Sequence, residues 1–241
     1  MSLALITHGH TEYVENKEET MDVAKSITYT FEDERWGVKV LIGGLLSLVP
    51  IVRFFVGGYM IEVARNIALG AADGLPEWED WGQKFMRGVL SWLIDLVYHL
   101  PTILMGICLG MALAITGEGD NGNGLGALFS ICLGLPMSLY GLVVALWLPA
   151  ARLRYAVTDN VADAFQFRKI FRFISANLGN YALAIAAIIV VAVAVVLVGI
   201  VVAGVTCGLG ILLFPFIGFV RYVVMAHLIG QVYREAQVEA A

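Results

Sequence analysis

Arg53, Asp95, His99 and Arg221 are ionisable side chains set in otherwise apolar segments of this chain. A charge inside a membrane segment costs roughly 2.5–3.5 kcal/mol on insertion scales, so it is retained for pairing, proton transfer or ion passage. Asp95 and His99 are four residues apart and share one helix face. The spacing predicts a buried polar cluster in which Asp95 is the anion for Arg53 or Arg221, with His99 alongside. Two functions suit such a cluster. It could line a pathway for a small solute or ion, or it could hold helices together through paired charge, with Arg53 reaching towards an interface. His227 forms an i, i+4 pair with Gln231 on the last apolar segment, placed to meet lipid headgroups or a neighbouring interfacial element.

Other chemistry is poorly represented. There is no glycine-flanked serine, two-histidine helix motif, phosphate loop or paired-carboxylate spacing, so no catalytic residue and no cofactor is expected, and the protein reads as not an enzyme. Cys108, Cys132 and Cys207 lack the spacing of a zinc site or a disulfide framework and read as small packing residues. His8 and His10 lie in an acidic stretch without further ligands, so no metal site is expected. The glycine- and asparagine-rich run 117–124 lacks the terminal acid of a calcium loop and reads as an exposed turn. Basic residues form no dense stripe, which argues against nucleic acid as a partner.

The elements that must position these groups follow from composition. The 241 residues are 59% hydrophobic, well above the roughly 45–50% of a soluble domain, and mean hydropathy is +0.81. Segments 89–115, 125–148, 181–205 and 209–229 approach or exceed the roughly 20 residues that cross a bilayer core. Four crossings are expected. A motif Glu-x-Glu-x-Trp-Gly-x-Lys-x-x-x-Gly at 32–43 recurs at 77–88, each copy running into an apolar segment, with a degenerate third copy around Asp163, Phe165 and Arg168.

Lys and Arg gather in 62–87 and 150–172 and are missing from 116–124 and 199–210, which places the first two stretches inside. The recurrence of the motif implies that 36–69 also enters and leaves from the inside, as a short hairpin turning at Pro50, where a missing donor suits a turn. The expected fold is an all-α integral membrane protein of six helices in three helical hairpins, about 36–69, 86–150 and 173–234, turning at Pro50, near Asp120 and near Cys207. Residues 1–29 form a polar acidic tail, 30–234 the membrane domain and 235–241 a short C-terminal tail. Each hairpin is entered through an amphipathic interfacial helix, Pro76 fitting the first turn of the second and Asp159 or Asn160 capping the third. Trp36, Tyr59, Trp78, Trp81, Tyr155, Phe165 and His227 are the expected interfacial anchors.

Gly57-Gly58-Tyr59, Arg65 and Gly74-Leu75-Pro76-Glu77-Trp78-Glu79-Asp80-Trp81, followed by Pro149, Arg154-Tyr155-Ala156, Ala164-Phe165, Asn177, Tyr181 and His227-Leu228-x-Gly230-Gln231-x-Tyr233, carry a family resemblance. The chain resembles, from about Thr30 to Tyr233, a prokaryotic and archaeal family of multi-pass membrane proteins known only as domain of unknown function four-zero-one-three. The resemblance implies a six-helix membrane domain and brings no reaction with it. The functional expectation is therefore a non-catalytic scaffold or an accessory or assembly subunit of a membrane complex, in the cell membrane with both termini cytoplasmic. Its partners would be the lipid bilayer and a membrane protein or a second copy. A transporter or channel using the Arg, Asp and His cluster is the alternative.

Overall fold

The structure is a computed structural model that describes residues 22–71, 74–116, 124–207 and 209–238. The described residues are all helical or irregular. They form α1 (Val23–Glu32), α2 (Trp36–Ser47), α3 (Arg53–Leu69), α4 (Trp81–Thr116), α5 (Leu125–Thr158), α6 (Phe167–Ala176), α7 (Leu178–Val205) and α8 (Phe214–Val238), with 3-10 turns at Val161–Phe165 and Leu209–Leu213. Four of these helices, α4, α5, α7 and α8, are long and apolar enough to cross a membrane. Their length and composition are those of membrane-crossing helices.

The longest helices outrun the lipid they would cross. α4 has 36 residues and α5 has 34, about 50 Å each at 1.5 Å per residue against a hydrocarbon core of about 30 Å. Their surplus makes the base of the molecule. Apolar composition places the ends of this hairpin at 86 and 150. The helices instead start at Trp81 and run to Thr158, because Lys84, Arg87 and Arg152 stay helical and pair with protein neighbours.

Burial is concentrated in that base. The buried hydrophobic residues fall between Tyr29 and Tyr98, between Val144 and Ala187, and between Phe219 and Val232. Only 6% of the most apolar window of α4 and 11% of those of α5 and α7 are buried, against 50% in α8. The protein is thus a packed base of α1, α2, α3, α8 and the adjoining ends of α4 and α5, from which bare apolar arms extend.

Within the base α3 is central, packing on α4 and α8. The α3–α4 crossing is set by glycine. A Cβ on Gly58 would stand 1.7 Å from the Lys84 carbonyl oxygen, and one on Gly88 1.7 Å from that of Phe54, so only glycine lets the two backbones meet. α2 docks on α8 in the same manner, Gly43 against the Phe219 ring and Gly44 against that of Phe216.

Several local expectations are corrected. Residues 23–29, assigned by composition to the acidic tail, are helical: Asp22 caps α1 by accepting from the Lys25 N–H at 2.8 Å, and Ser26, Tyr29 and Thr30 are buried on one face. The acidic residues before Asp22, His8, His10, the turn near Asp120 and the last residues of the C-terminal tail lie outside the described residues. Pro76 starts no helix. Residues 74–80 are an irregular strap, because their polar groups are spent on tertiary contacts and Asp80 takes a left-handed φ of 49°. Asn160, accepting from the Ala162 N–H at 3.0 Å, caps the 3-10 turn that precedes α6. α6 itself is strongly amphipathic, with Ile170 buried and Phe167, Arg168, Lys169, Phe171 and Arg172 outward. Pro50 does fall in the turn between α2 and α3, and α7 ends at Val205 just before Cys207.

Candidate functional site

The two Trp-Gly-x-Lys motifs occupy like positions. Each tryptophan opens a helix, α2 or α4, and the lysine three residues on is buried, Lys39 at 3% exposure and Lys84 at 2%. A cation in the first turn of a helix opposes the helix dipole, and burying it costs more. Acidic partners offset this. The Lys39 ammonium meets Asp33 at 2.7 Å and Glu77 at 2.8 Å and donates to the Leu75 carbonyl at 2.7 Å. Lys84 meets Glu62 at 2.8 Å and donates to the Glu79 carbonyl at 2.9 Å. Glu77, from the second motif, thereby binds the lysine of the first and also Arg35 at 2.6 Å. Glu62 and Arg65, which look like a pair on one helix face, bind separate partners instead.

Asp159 is the third junction. Just past the end of α5, with a left-handed φ of 55°, it accepts from Arg87 at 2.9 Å and Arg65 at 3.1 Å and so joins α3, α4 and α5. The Arg87 hydrogen bond is the main cause that holds the Asp159 carboxyl below its ordinary range. The Lys39 hydrogen bond does the same for Glu77. At Asp33 burial pushes the other way, and the Lys39 ammonium with the Arg35 and Leu75 N–H groups outweighs it, so its pKa too is lowered.

The expected polar cluster is divided. Asp95 pairs with Arg152 of α5, which donates from Nε at 2.7 Å and from a second nitrogen to the other carboxylate oxygen. Arg152, not Arg53 or Arg221, is its cation. His99 is exposed and turns its Nδ1 to the Asp95 backbone carbonyl at 2.8 Å, taking no part in the pair. Arg221 lies over the ring of Tyr222, 5.1 Å from its centroid. Arg53 and Asp95 do share one feature: both line a cavity of about 750 Å³ bounded by α3, α4, α5, α8 and the α2–α3 turn. Met60, Trp92, Leu153, Phe214 and Ile229 form much of its wall.

Three of the expected interfacial anchors are core residues. Tyr59 is fully buried, donates to the Pro76 carbonyl at 2.9 Å and stacks on Trp78 at 4.4 Å. Tyr155 is 1% exposed, and its hydroxyl finds no partner among the described residues. His227 is buried, shares a 2.9 Å hydrogen bond with Ser26 and packs on Tyr29 at 4.3 Å. It therefore anchors α1 rather than meeting headgroups or α6. Trp36 and Trp81 are exposed, against Phe31 and Phe55 respectively. Trp78 donates to the Lys39 carbonyl at 3.1 Å. Phe165 stacks on Tyr98, whose hydroxyl donates to the Ala164 carbonyl at 2.7 Å.

Composition could not single out Arg152 or Tyr98, and it offered Asp159 only as a helix cap. Arg152 falls in a stretch whose basic residues read as lying inside, and Tyr98 is one aromatic among many apolar neighbours. The buried lysines did leave a signal, since a charge recurring at the same step of two apolar segment starts has no reason to be there unless it is paired. Among the described residues no group of three or more His, Cys, Asp or Glu is arranged to hold a metal ion.

The polar groups thus meet one another at the base, and the cavity beside Asp95 sets charge against open space between helices. Neither the curated proteins nor the solved structures contain a match. The family described as a protein of unknown function (DUF4013) matches residues 42–204, from α2 to the end of α7 and more than half of the chain. The chain, with its glycine-crossed α3–α4 base and apolar arms, belongs to the DUF4013 family.

Proposed function

We propose that this protein is a non-catalytic scaffold, or an accessory or assembly subunit, of a complex in the cell membrane, with its helices in three hairpins and both termini cytoplasmic. The observation that carries the reading is the contrast between base and arms. Lys39, Lys84, Arg65, Arg87 and Arg152 are all taken up in internal ion pairs, while α4, α5 and α7 leave most of their apolar surface without a protein neighbour. A transport route needs helices that enclose it; among the described residues these arms leave their apolar faces mostly uncovered, and they offer those faces to a second membrane protein or a second copy.

Two contacts support a common side for the chain ends and for the acidic-tryptophan motifs. The start of α1 lies against the end of α8, through Ser26 with His227 and Gln231 with the Asp22 carbonyl. The two motifs lie against each other through Glu77 with Lys39 and Arg35.

Purification from native membranes in mild detergent, followed by mass and composition analysis, tests the proposal. A stoichiometric membrane partner or a stable homo-oligomer is expected. A lone monomer, or substrate-dependent flux by the purified protein in proteoliposomes, would replace it with the transporter reading that the Asp95 cavity favours.

A further inference from the structure

We propose that the cavity between α3, α4, α5 and α8 binds one anionic phospholipid of the surrounding bilayer, with Arg53 holding the phosphate and the apolar walls holding the acyl chains. At about 750 Å³ it lies within the roughly 300–1,000 Å³ range of small-molecule sites. Its charged groups are Arg53, Asp95 and Arg152. Asp95 and Arg152 neutralise each other through two hydrogen bonds, and among the described residues Arg53 has no ion-pair partner. One uncompensated guanidinium remains, and its planar donor fork matches a phosphate group.

The rest of the wall selects against a small soluble anion. Phe54, Met60, Trp92, Phe214 and Ile229 offer a water-soluble phosphate no polar contact, whereas they suit hydrocarbon. Trp92, Phe214 and Tyr222 line the cavity and are also exposed, so it is continuous with outer surface that includes apolar rings. An occupant can enter sideways from lipid. The inference depends on the membrane location and not on the scaffold assignment, so either can fail while the other stands.

Native mass spectrometry of the full chain in detergent, titrated with phosphatidylglycerol or with phosphatidylcholine of the same acyl chains, reads the binding directly. Phosphatidylglycerol is expected to bind the more tightly. Arg53→Gln should weaken it about tenfold, the equilibrium factor for losing one charge-assisted hydrogen bond, and Arg53→Lys should recover part of the loss. A Cβ at Gly218 meets nothing within 4 Å although the residue lines the cavity, so Gly218→Trp should fill the site and abolish binding with the unfolding temperature retained. If that variant fails to fold, Gly218→Leu serves the same purpose. Equal affinity for the two lipids, or wild-type affinity in both the Arg53→Gln and the cavity-filling variant, would overturn the proposal. Displacement of the lipid by millimolar inorganic phosphate would overturn it in favour of a free anion.

Discussion

Lys39 shows how a single side chain can join distant segments. Its ammonium lies between Asp33, which precedes α2, and Glu77 and the Leu75 carbonyl, which belong to the strap before α4. Removing one partner of a buried ion pair typically costs about 3–5 kcal/mol. Here Glu77 is 41% exposed, so water compensates it in part, and Lys39→Ala should cost about 2–3 kcal/mol once that screening is allowed for. Thermal unfolding in a fixed detergent measures the loss.

The carboxylates make a related prediction. Asp33, Glu77 and Asp159 all have folded-state pKa values below their ordinary ones. A depressed folded pKa means that the unfolded chain takes up the proton first, so the stabilisation is complete above about pH 4–4.5 and is lost as pH falls through the folded values. Acid titration followed by Trp78 fluorescence should show the strap loosening below about pH 4 and unchanged at neutral pH. A transition centred near pH 6–7 would show that these carboxylates do not control the strap.

At the scale of elements, the glycine crossings decide which helices touch. Gly58 and Gly88 let α3 and α4 meet backbone to backbone, which brings Glu62 to Lys84. Gly58→Ala must push the helices apart, because the atom in its way is a carbonyl oxygen rather than a movable side-chain end. A loss of about 2–3 kcal/mol is expected, towards the upper end for overpacking. Gly218→Ala is the control, since its Cβ meets open space, and the helix preference of alanine should leave stability unchanged or raise it by about 0.5–1 kcal/mol. Equal effects from the two substitutions would mean that the α3–α4 contact does not hold the base together.

For the molecule as a whole, the bare arms make the bilayer part of the fold. Cys108 on α4 and Cys132 on α5 are exposed to their surroundings, yet they lie on stretches where Leu104, Ile107, Met111, Leu128, Ile131 and Leu135 are exposed too. In proteoliposomes these thiols should resist a charged maleimide, because hydrocarbon excludes the charged reagent. After removal of lipid and detergent both should label. Prompt labelling in intact proteoliposomes would place the arms in water and contradict the membrane assignment.

The four long apolar helices and the turn at Pro50 were legible from the chain alone, because hydropathy and proline chemistry act within a few residues of sequence. The importance of Lys39 and Lys84 was half legible: their recurrence marked them, while their burial depended on Asp33, Glu77 and Glu62 arriving from other elements. Tertiary structure alone decided that Asp95 pairs with Arg152, that Tyr59, Tyr155 and His227 are core, and that Arg53 faces a cavity with no ion-pair partner among the described residues. The reason is physical. Crossing a bilayer is a property of a segment's own composition, whereas the partner of a buried charge is set by where helices cross, and glycines far apart in the chain set the crossings.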